Sequence, residues 1–356
     1  MRQKFDKWLF LSILLLICWS ISAQEYSNDS VAKHLKLFIH GNKLIDSSKY
    51  KEAIHCFKQA VKLKPDFWEA FNKMAYAKIK LQDYTGAEKD LEKADKIAPL
   101  NYETDKLRGI NFFLNHQYKE CKSMLDTATF LCLQDKLEDA ELFYYRAKLM
   151  LIGKSYKTAL EACETALEWR PRYIDVIKLK AEIRFAKKEY NYVIKELNEA
   201  IGLMPAKKID FESYKLRAKS KFEIGDYKGA VKDWNVYLDT VPHTEENLLE
   251  RAGAKINAND NSGGIVDLDE AIKMNSKNPV SYCLRGIAKG GTKSYVEALK
   301  DFDYAIKLKF DYASAYVNRA AIKLASKDKR GACTDLEKAD GLGSELALKL
   351  LQQYCK

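Results

Sequence analysis

Tyr50, Tyr84 and Tyr118 stand 34 residues apart, and so do Ala53 and Ala87, Ala60, Ala94 and Ala128, and Pro65 and Pro99. The same interval resumes at Tyr156 and Tyr190, with Ala166 and Ala200 and with Pro171 and Pro205. After a three-residue slip it returns at Tyr227, Ala230 and Pro242, then at Tyr295, Ala298 and Ala305, and finally at Ala332 and Ala339. No other feature constrains the fold as tightly. A unit this long has room for two helices and their turns, but it cannot bury its own apolar face and must stack on its neighbours.

The residues around the period are those of helices. Larger apolar side chains recur at i, i+3, i+4 spacing, as in Ile54, Phe57 and Val61, or Leu91, Ala94 and Ile97. A small residue falls in each first helix (Gly41, Ala75, Gly109, Ala147, Ala181, Ala218, Ala252, Gly286, Ala320), and another usually falls early in the second (Ala53, Ala87, Ala159, Ala230, Ala298, Ala332). Two helices approach closely only where neither carries bulk. The chain has only 6 prolines; five close a unit and Pro279 opens one, so none interrupts a helix.

The unit resembles the tetratricopeptide repeat, most clearly in WEAFNKMAYAKIKLQDYTGAEKDLEKADKIAPLN, Trp68 to Asn101. The resemblance extends over nine units, 34–67, 68–101, 102–135, 140–173, 174–207, 211–244, 245–278, 279–312 and 313–344. It implies an all-α fold, a TPR α-solenoid winding as a right-handed superhelix of helix–turn–helix repeats. The segment 345–356, with Leu346, Leu348 and Leu351 on one amphipathic helix, is expected to cap the last exposed face. Short insertions fall at Lys136 to Asp139 and Lys208 to Asp210. The turn from Asn259 to Gly264 departs furthest from the pattern and is expected to be the most mobile point.

Ahead of the repeats lie residues 1–23 and a short segment, 24–33. Arg2, Lys4 and Lys7 precede an apolar run from Trp8 to Ile21 that ends in Ser22-Ala23, the layout of a secretory signal peptide cleaved after Ala23. A membrane span takes about 20 apolar residues, and this run is shorter. The mature chain is therefore expected to be exported, periplasmic or at the cell surface, with no span. The formal charge of +10 falls by a net 2, from three basic residues and one acid, to +8. Those charges are interspersed along the chain rather than blocked, and no nucleic-acid partner is expected.

Chemistry is hard to find. None of the five histidines forms an HExxH pair, no two cysteines have CxxC spacing, and no GxxxxGK or GxGxxG phosphate loop occurs. Asn259 to Glu270 partly matches a calcium loop, but Gly263 offers no ligand there, so it reads as a degenerate repeat turn. The expectation is a chain without catalytic site, cofactor or metal. Arg217, Arg251, Arg285 and Arg319 each precede an aspartate by 16 residues (Asp233, Asp267, Asp301, Asp335), which predicts ion pairs between the two helices of a unit. Arg108 and Arg146 lack that acid and are expected to contact something else. Cys333 and Cys355 lie on the last repeat and at the end of the cap, where a disulfide would pin one to the other.

The resemblance further implies that first helices line a concave groove for partner segments. Carried over, it puts Tyr76, Lys80, Lys106, Phe113, Tyr144, Lys148, Lys178, Glu182, Lys215 and Lys219 on the inner wall, a mainly basic and aromatic surface suited to acidic or amphipathic segments of other proteins. The family's carboxylate-gripping subtype is not matched, because Asn42 has Phe38 one turn earlier where lysine belongs. The function expected is that of an exported scaffold for protein–protein contacts in envelope assembly or docking. A small-ligand or glycan binder using the same groove is the alternative.

Overall fold

The computed structural model describes residues 33–205 and 209–355, so the segment expected to be a signal peptide, 1–23, lies outside the described residues. All secondary structure among them is α-helical. Two compact units divide at Pro171 and Arg172. The first holds α1 (Lys33–Asp46), α2 (Tyr50–Leu63), α3 (Trp68–Lys80), α4 (Tyr84–Ile97), α5 (Tyr102–Leu114), α6 (Tyr118–Gln134), α7 (Ala140–Ile152) and α8 (Tyr156–Trp169). The second holds α9 (Ile174–Ala186), α10 (Tyr190–Gly202), α11 (Phe211–Glu223), α12 (Tyr227–Leu238), α13 (Glu245–Asn257), α14 (Asn261–Met274), α15 (Pro279–Gly291), α16 (Tyr295–Leu308), α17 (Ala313–Ala325), α18 (Lys329–Gly341) and α19 (Glu345–Tyr354). Odd-numbered helices up to α17 are the first helices of repeats, and even-numbered ones the second. Within each unit every second helix packs on its own first helix and on the next repeat.

Small residues make that packing possible. A Cβ on Gly41 would stand 2.5 Å from the ring of Phe57, which is fully buried. Gly286 meets Phe302 in the same way in the second unit. The repeated alanines, among them Ala53, Ala87, Ala159, Ala230, Ala298 and Ala332, are all fully buried. Larger side chains fill the space around them, as Phe71 and Met74 do beside Phe57.

Two local devices end and begin the helices. Each turn between paired helices passes through one left-handed residue: Ser48, Gln82, His116 and Lys154 in the first unit, and Lys188, Gly225, Asn259, Lys293 and Lys327 in the second. At Gln82 that geometry lets its own N–H donate to the Ile79 carbonyl at 3.0 Å and the Asp83 N–H to Lys78 at 2.9 Å, satisfying carbonyls a helix end would otherwise orphan. Asp83, Asp226, Asp260 and Asp328 then cap the following helix, each accepting from the N–H of a glycine three residues on at 2.9 Å. The turn around Asn259 is thus built like the others.

In the second unit the arginine–aspartate spacing becomes a ladder. Asp233, Asp267, Asp301 and Asp335 each receive two hydrogen bonds from the arginine 16 residues earlier. A lysine one turn past each arginine (Lys221, Lys255, Lys289, Lys323) reaches the same carboxylate at 2.7–2.9 Å. The third guanidinium nitrogen turns back to the preceding repeat, to Asn198, Asn235, Asp269 and Asp303. Each arginine therefore ties three helices together, a use of its planar fork that lysine cannot reproduce. Lys180, Arg184 and Glu196 form the same triad with the two cations exchanged.

The cap differs from expectation in detail. Ala347, Leu350, Leu351 and Cys355 pack against the last repeat. Leu346 and Leu348 point outward, 56% and 46% exposed, because only the i, i+3, i+4 face starting at Ala347 meets α17 and α18. The insertion at Lys136 to Asp139 accompanies a lengthened α6 of 17 residues, after which Asp139 caps α7.

Candidate functional site: two first-helix grooves

First helices of successive repeats pack side by side within each unit, α3 on α5 and α5 on α7 in the first, α9 on α11 in the second. Residues every third or fourth along them share one face, and that face lines a cavity in each unit. The cavity of the first unit holds about 190 Å³ and is bounded by Tyr76, Ile79 and Lys80 of α3, Tyr84 of α4, Leu107, Ile110 and Leu114 of α5, and Glu141 and Tyr145 of α7. That of the second unit holds about 530 Å³ between Lys178, Glu182 and Phe185 of α9, Leu197 of α10 and Glu212, Lys215, Leu216 and Lys219 of α11. Both have apolar floors and charged rims.

The six groove lysines fall into two classes. Lys106, Lys178 and Lys219 are neutralised by carboxylates: Lys106 by Asp139 at 2.7 Å and Glu141 at 3.4 Å, Lys178 by Asp210 at 2.6 Å, Lys219 by Glu250 at 3.2 Å. Lys80, Lys148 and Lys215 instead sit over aromatic rings. The Lys80 ammonium is 5.0 Å from the Tyr76 ring, that of Lys215 5.4 Å from Tyr237, and that of Lys148 within 5.0–5.9 Å of Phe113, Tyr144 and Tyr145 together. A ring steadies an ammonium without using its hydrogen-bond donors, so these three still offer a positive charge to a ligand. Phe113 does not face the groove; at 8% exposure it is buried, edge-on to Tyr145 at 5.6 Å, and serves as backing. Glu182 is exposed on the rim of the larger cavity.

Two family models match the chain, one for the TPR repeat over residues 41–82 and one for the tetratricopeptide repeat over residues 69–99. Residues 41–99 of the chain thus match the tetratricopeptide repeat. PilF of Pseudomonas aeruginosa shares the fold with a TM-score of 0.51 at 12% identity, over 60% of this chain and 94% of that one. A tetratricopeptide repeat protein of Parabacteroides merdae is 17% identical, with a TM-score of 0.47, over 72% of this chain and 98% of its own. Among curated proteins, the DnaJ homolog subfamily C member 7 homolog of Schizosaccharomyces pombe is 21% identical over 337 residues, covering 86% of this chain and 69% of that one. Tetratricopeptide repeats bind other proteins and typically act as non-enzymatic scaffolds.

Outside the grooves, the polar residues singled out in the tetratricopeptide sequence are mostly engaged by the scaffold. Arg108, expected to contact something other than an acid 16 residues on, bonds Glu88 at 2.8 Å and Asp95 at 3.5 Å, and Arg146 bonds Thr129 at 2.8 Å and Asp126 at 3.1 Å. Both find acids on a second helix other than the position 16 residues on, which the spacing alone did not reveal. Asp267 and Glu270 of the calcium-like stretch are taken by Arg251 and Lys255 and by His243. Cys333 and Cys355 are joined by a disulfide across Cα atoms 5.7 Å apart. Cys56, Cys121, Cys132, Cys163 and Cys283 are buried thiols, and burial pushes Cys121 up to about 12. Among the described residues no group of histidine, cysteine and carboxylate side chains is placed to hold a metal, and no helix is long and apolar enough to cross a membrane.

The sequence did not single out Tyr145, Leu107, Ile110 or Glu141 in the first cavity, nor Phe185, Leu197, Glu212 or Leu216 in the second. Tyr145, Ile110, Glu141, Phe185, Glu212 and Leu216 sit one turn from residues that were named, so counting whole faces rather than single positions would have found them; Leu107 is next to a named residue, and Leu197 belongs to a second helix, where none was named.

Proposed function

We propose that this protein is an exported, non-enzymatic scaffold that holds segments of other proteins against its first-helix grooves, in envelope assembly or docking. One observation carries the reading: Lys80, Lys148 and Lys215 present ammonium groups seated on aromatic rings beside cavities with apolar floors, and among the described residues no carboxylate lies within ion-pair distance of them. A surface of this kind offers an apolar anchor site and a charged rim at once, the combination protein interfaces use. The signal-like segment at residues 1–23 supports export.

The test is photo-crosslinking from groove positions such as Tyr76 and Lys215 in the native envelope, with protein adducts expected from both. Crosslinking only to solvent and lipid would overturn the scaffold reading. The larger cavity, about 530 Å³, lies within the ordinary range of small-ligand sites, which favours a glycan or small ligand as second reading for the second unit. Calorimetry with cell-wall fragments separates the two: saturable binding lost in Lys215→Ala belongs to the ligand reading.

A further inference from the structure

The small cavity of the first unit says what kind of segment it takes. Its volume, about 190 Å³, equals that of roughly six waters and falls below the ~300 Å³ at which small-molecule pockets begin, so it accommodates one bulky side chain. Tyr76 and Tyr145 form opposite walls, and Leu107, Ile110 and Leu114 supply the floor. Lys80 stands over the Tyr76 wall from α3, and Lys148 stands by the Tyr145 wall from α7. Between them Glu141 is the carboxylate at the rim, and its charge is offset by Lys106. The site is therefore a socket with an aliphatic floor, tyrosine walls and a polar rim, with a free cation on each side.

The spacing of the cations follows from the fold. α5 packs between α3 and α7, and neighbouring helix axes lie about 8–10 Å apart, which puts α3 and α7 roughly 16–20 Å apart. A chain in polyproline II conformation rises about 3.1 Å per residue with three residues per turn, so residues six apart span about 19 Å and positions i, i+3 and i+6 face the same way. We propose that the α3–α5–α7 face binds a protein segment in polyproline II conformation in which one bulky apolar residue lies three positions from each of two acidic residues, themselves six positions apart. The apolar side chain enters the socket, and the two carboxylates meet Lys80 and Lys148. This rests on the scaffold reading and narrows it to one partner chemistry for one unit.

The probe is a blocked seven-residue peptide with glutamate at both ends, phenylalanine at the centre and serine elsewhere, titrated into the full chain and followed by fluorescence anisotropy. Replacing the central phenylalanine by alanine is expected to weaken binding more than about tenfold. Glutamine at either end, Lys80→Ala or Lys148→Ala should each weaken it about fivefold, the value of one partly screened charge pair. Lys80→Arg should restore it, and Lys273→Ala, at an exposed lysine outside both grooves, should leave it unchanged. Moving both glutamates next to the phenylalanine should weaken binding as much as losing one charge, because the short span reaches only one lysine. Unchanged helical melting of each variant shows that the fold is intact. No binding of the probe, or binding indifferent to acid spacing or to Lys80 and Lys148, overturns the proposal. If photo-crosslinks to native proteins persist from Lys215 in that event, the scaffold reading survives; if those are absent too, it falls as well.

Discussion

Asp301 is the sharpest place to ask whether the ladder of the second unit holds the stack together. It is 5% exposed and accepts from Arg285 at 2.7 and 2.9 Å and from Lys289 at 2.7 Å. Asp301→Ala leaves two cations one helical turn apart, their side chains only 18% and 20% exposed. Removing one member of a buried ion pair costs about 3–5 kcal/mol, because the other charge stays buried without compensation. Arg285 keeps Asp269 at 2.6 Å, and both cations retain some water, so the expected loss is about 2–3 kcal/mol. The assay is urea denaturation of the full chain combined with hydrogen exchange, with protection lost first in α15 and α16, since stacked repeats feel only their neighbours. The triple variant Arg285→Met, Lys289→Met, Asp301→Leu should recover most of the loss, as apolar replacements of buried charges do. A cost below about 1 kcal/mol for Asp301→Ala, or a triple variant no better than the single one, would refute the reasoning.

Other consequences follow from single groups. Asp105 is 5% exposed, its Oδ2 has no hydrogen-bond partner among the described residues, and burial with help from Asp95 pushes its carboxyl up to about 6. The folded state thus holds a proton that the unfolded chain releases near 3.8, so stability falls as pH rises from about 4 to 6, by about 3 kcal/mol in all. Asp105→Asn should flatten that slope in pH-dependent denaturation and stabilise the chain at pH 7; an unchanged slope would exclude Asp105 as its source. Lys293 is exposed with φ of +63°, a conformation costing about 1 kcal/mol outside glycine. Lys293→Gly should raise the denaturation midpoint by that amount less the added freedom of the unfolded chain, whereas Gly225→Ala should lower it. Cys333 and Cys355 are 22 residues apart, a loop whose closure contributes about 3 kcal/mol. Cys355→Ser should therefore release α19 to fast hydrogen exchange while the preceding repeats stay protected; equal protection would show that packing alone holds the cap.

The repeat interval made the architecture readable because it is written in residues whose size matters, such as Gly41 against Phe57 and the buried alanines. The ladder was readable in half, because the spacing of 16 joins two helices of one repeat. The lysine one turn on and the return bond to the preceding repeat depend on how repeats stack, which no spacing within a unit encodes. The left-handed turn residues were missed for a plainer reason. Most are Lys, Gln, His or Ser rather than glycine, so composition gives no sign of them. The first-helix faces were singled out by resemblance, and counting lysines on them overstated their positive charge, because Asp139, Asp210 and Glu250 pair three of the six.

That correction bears on how a scaffold of this kind discriminates. Grooves in which every lysine were free would attract any acidic chain through a long-range field that salt screens within about 8–10 Å. Pairing Lys106, Lys178 and Lys219 internally lowers that field and leaves single cations at chosen places, each fixed over a ring and beside an apolar cavity. A partner gains from such a cation only when its apolar anchor is seated at the same time. Charge then sets the register of a segment already held by burial, and specificity comes from the distance between the two kinds of contact rather than from the amount of either.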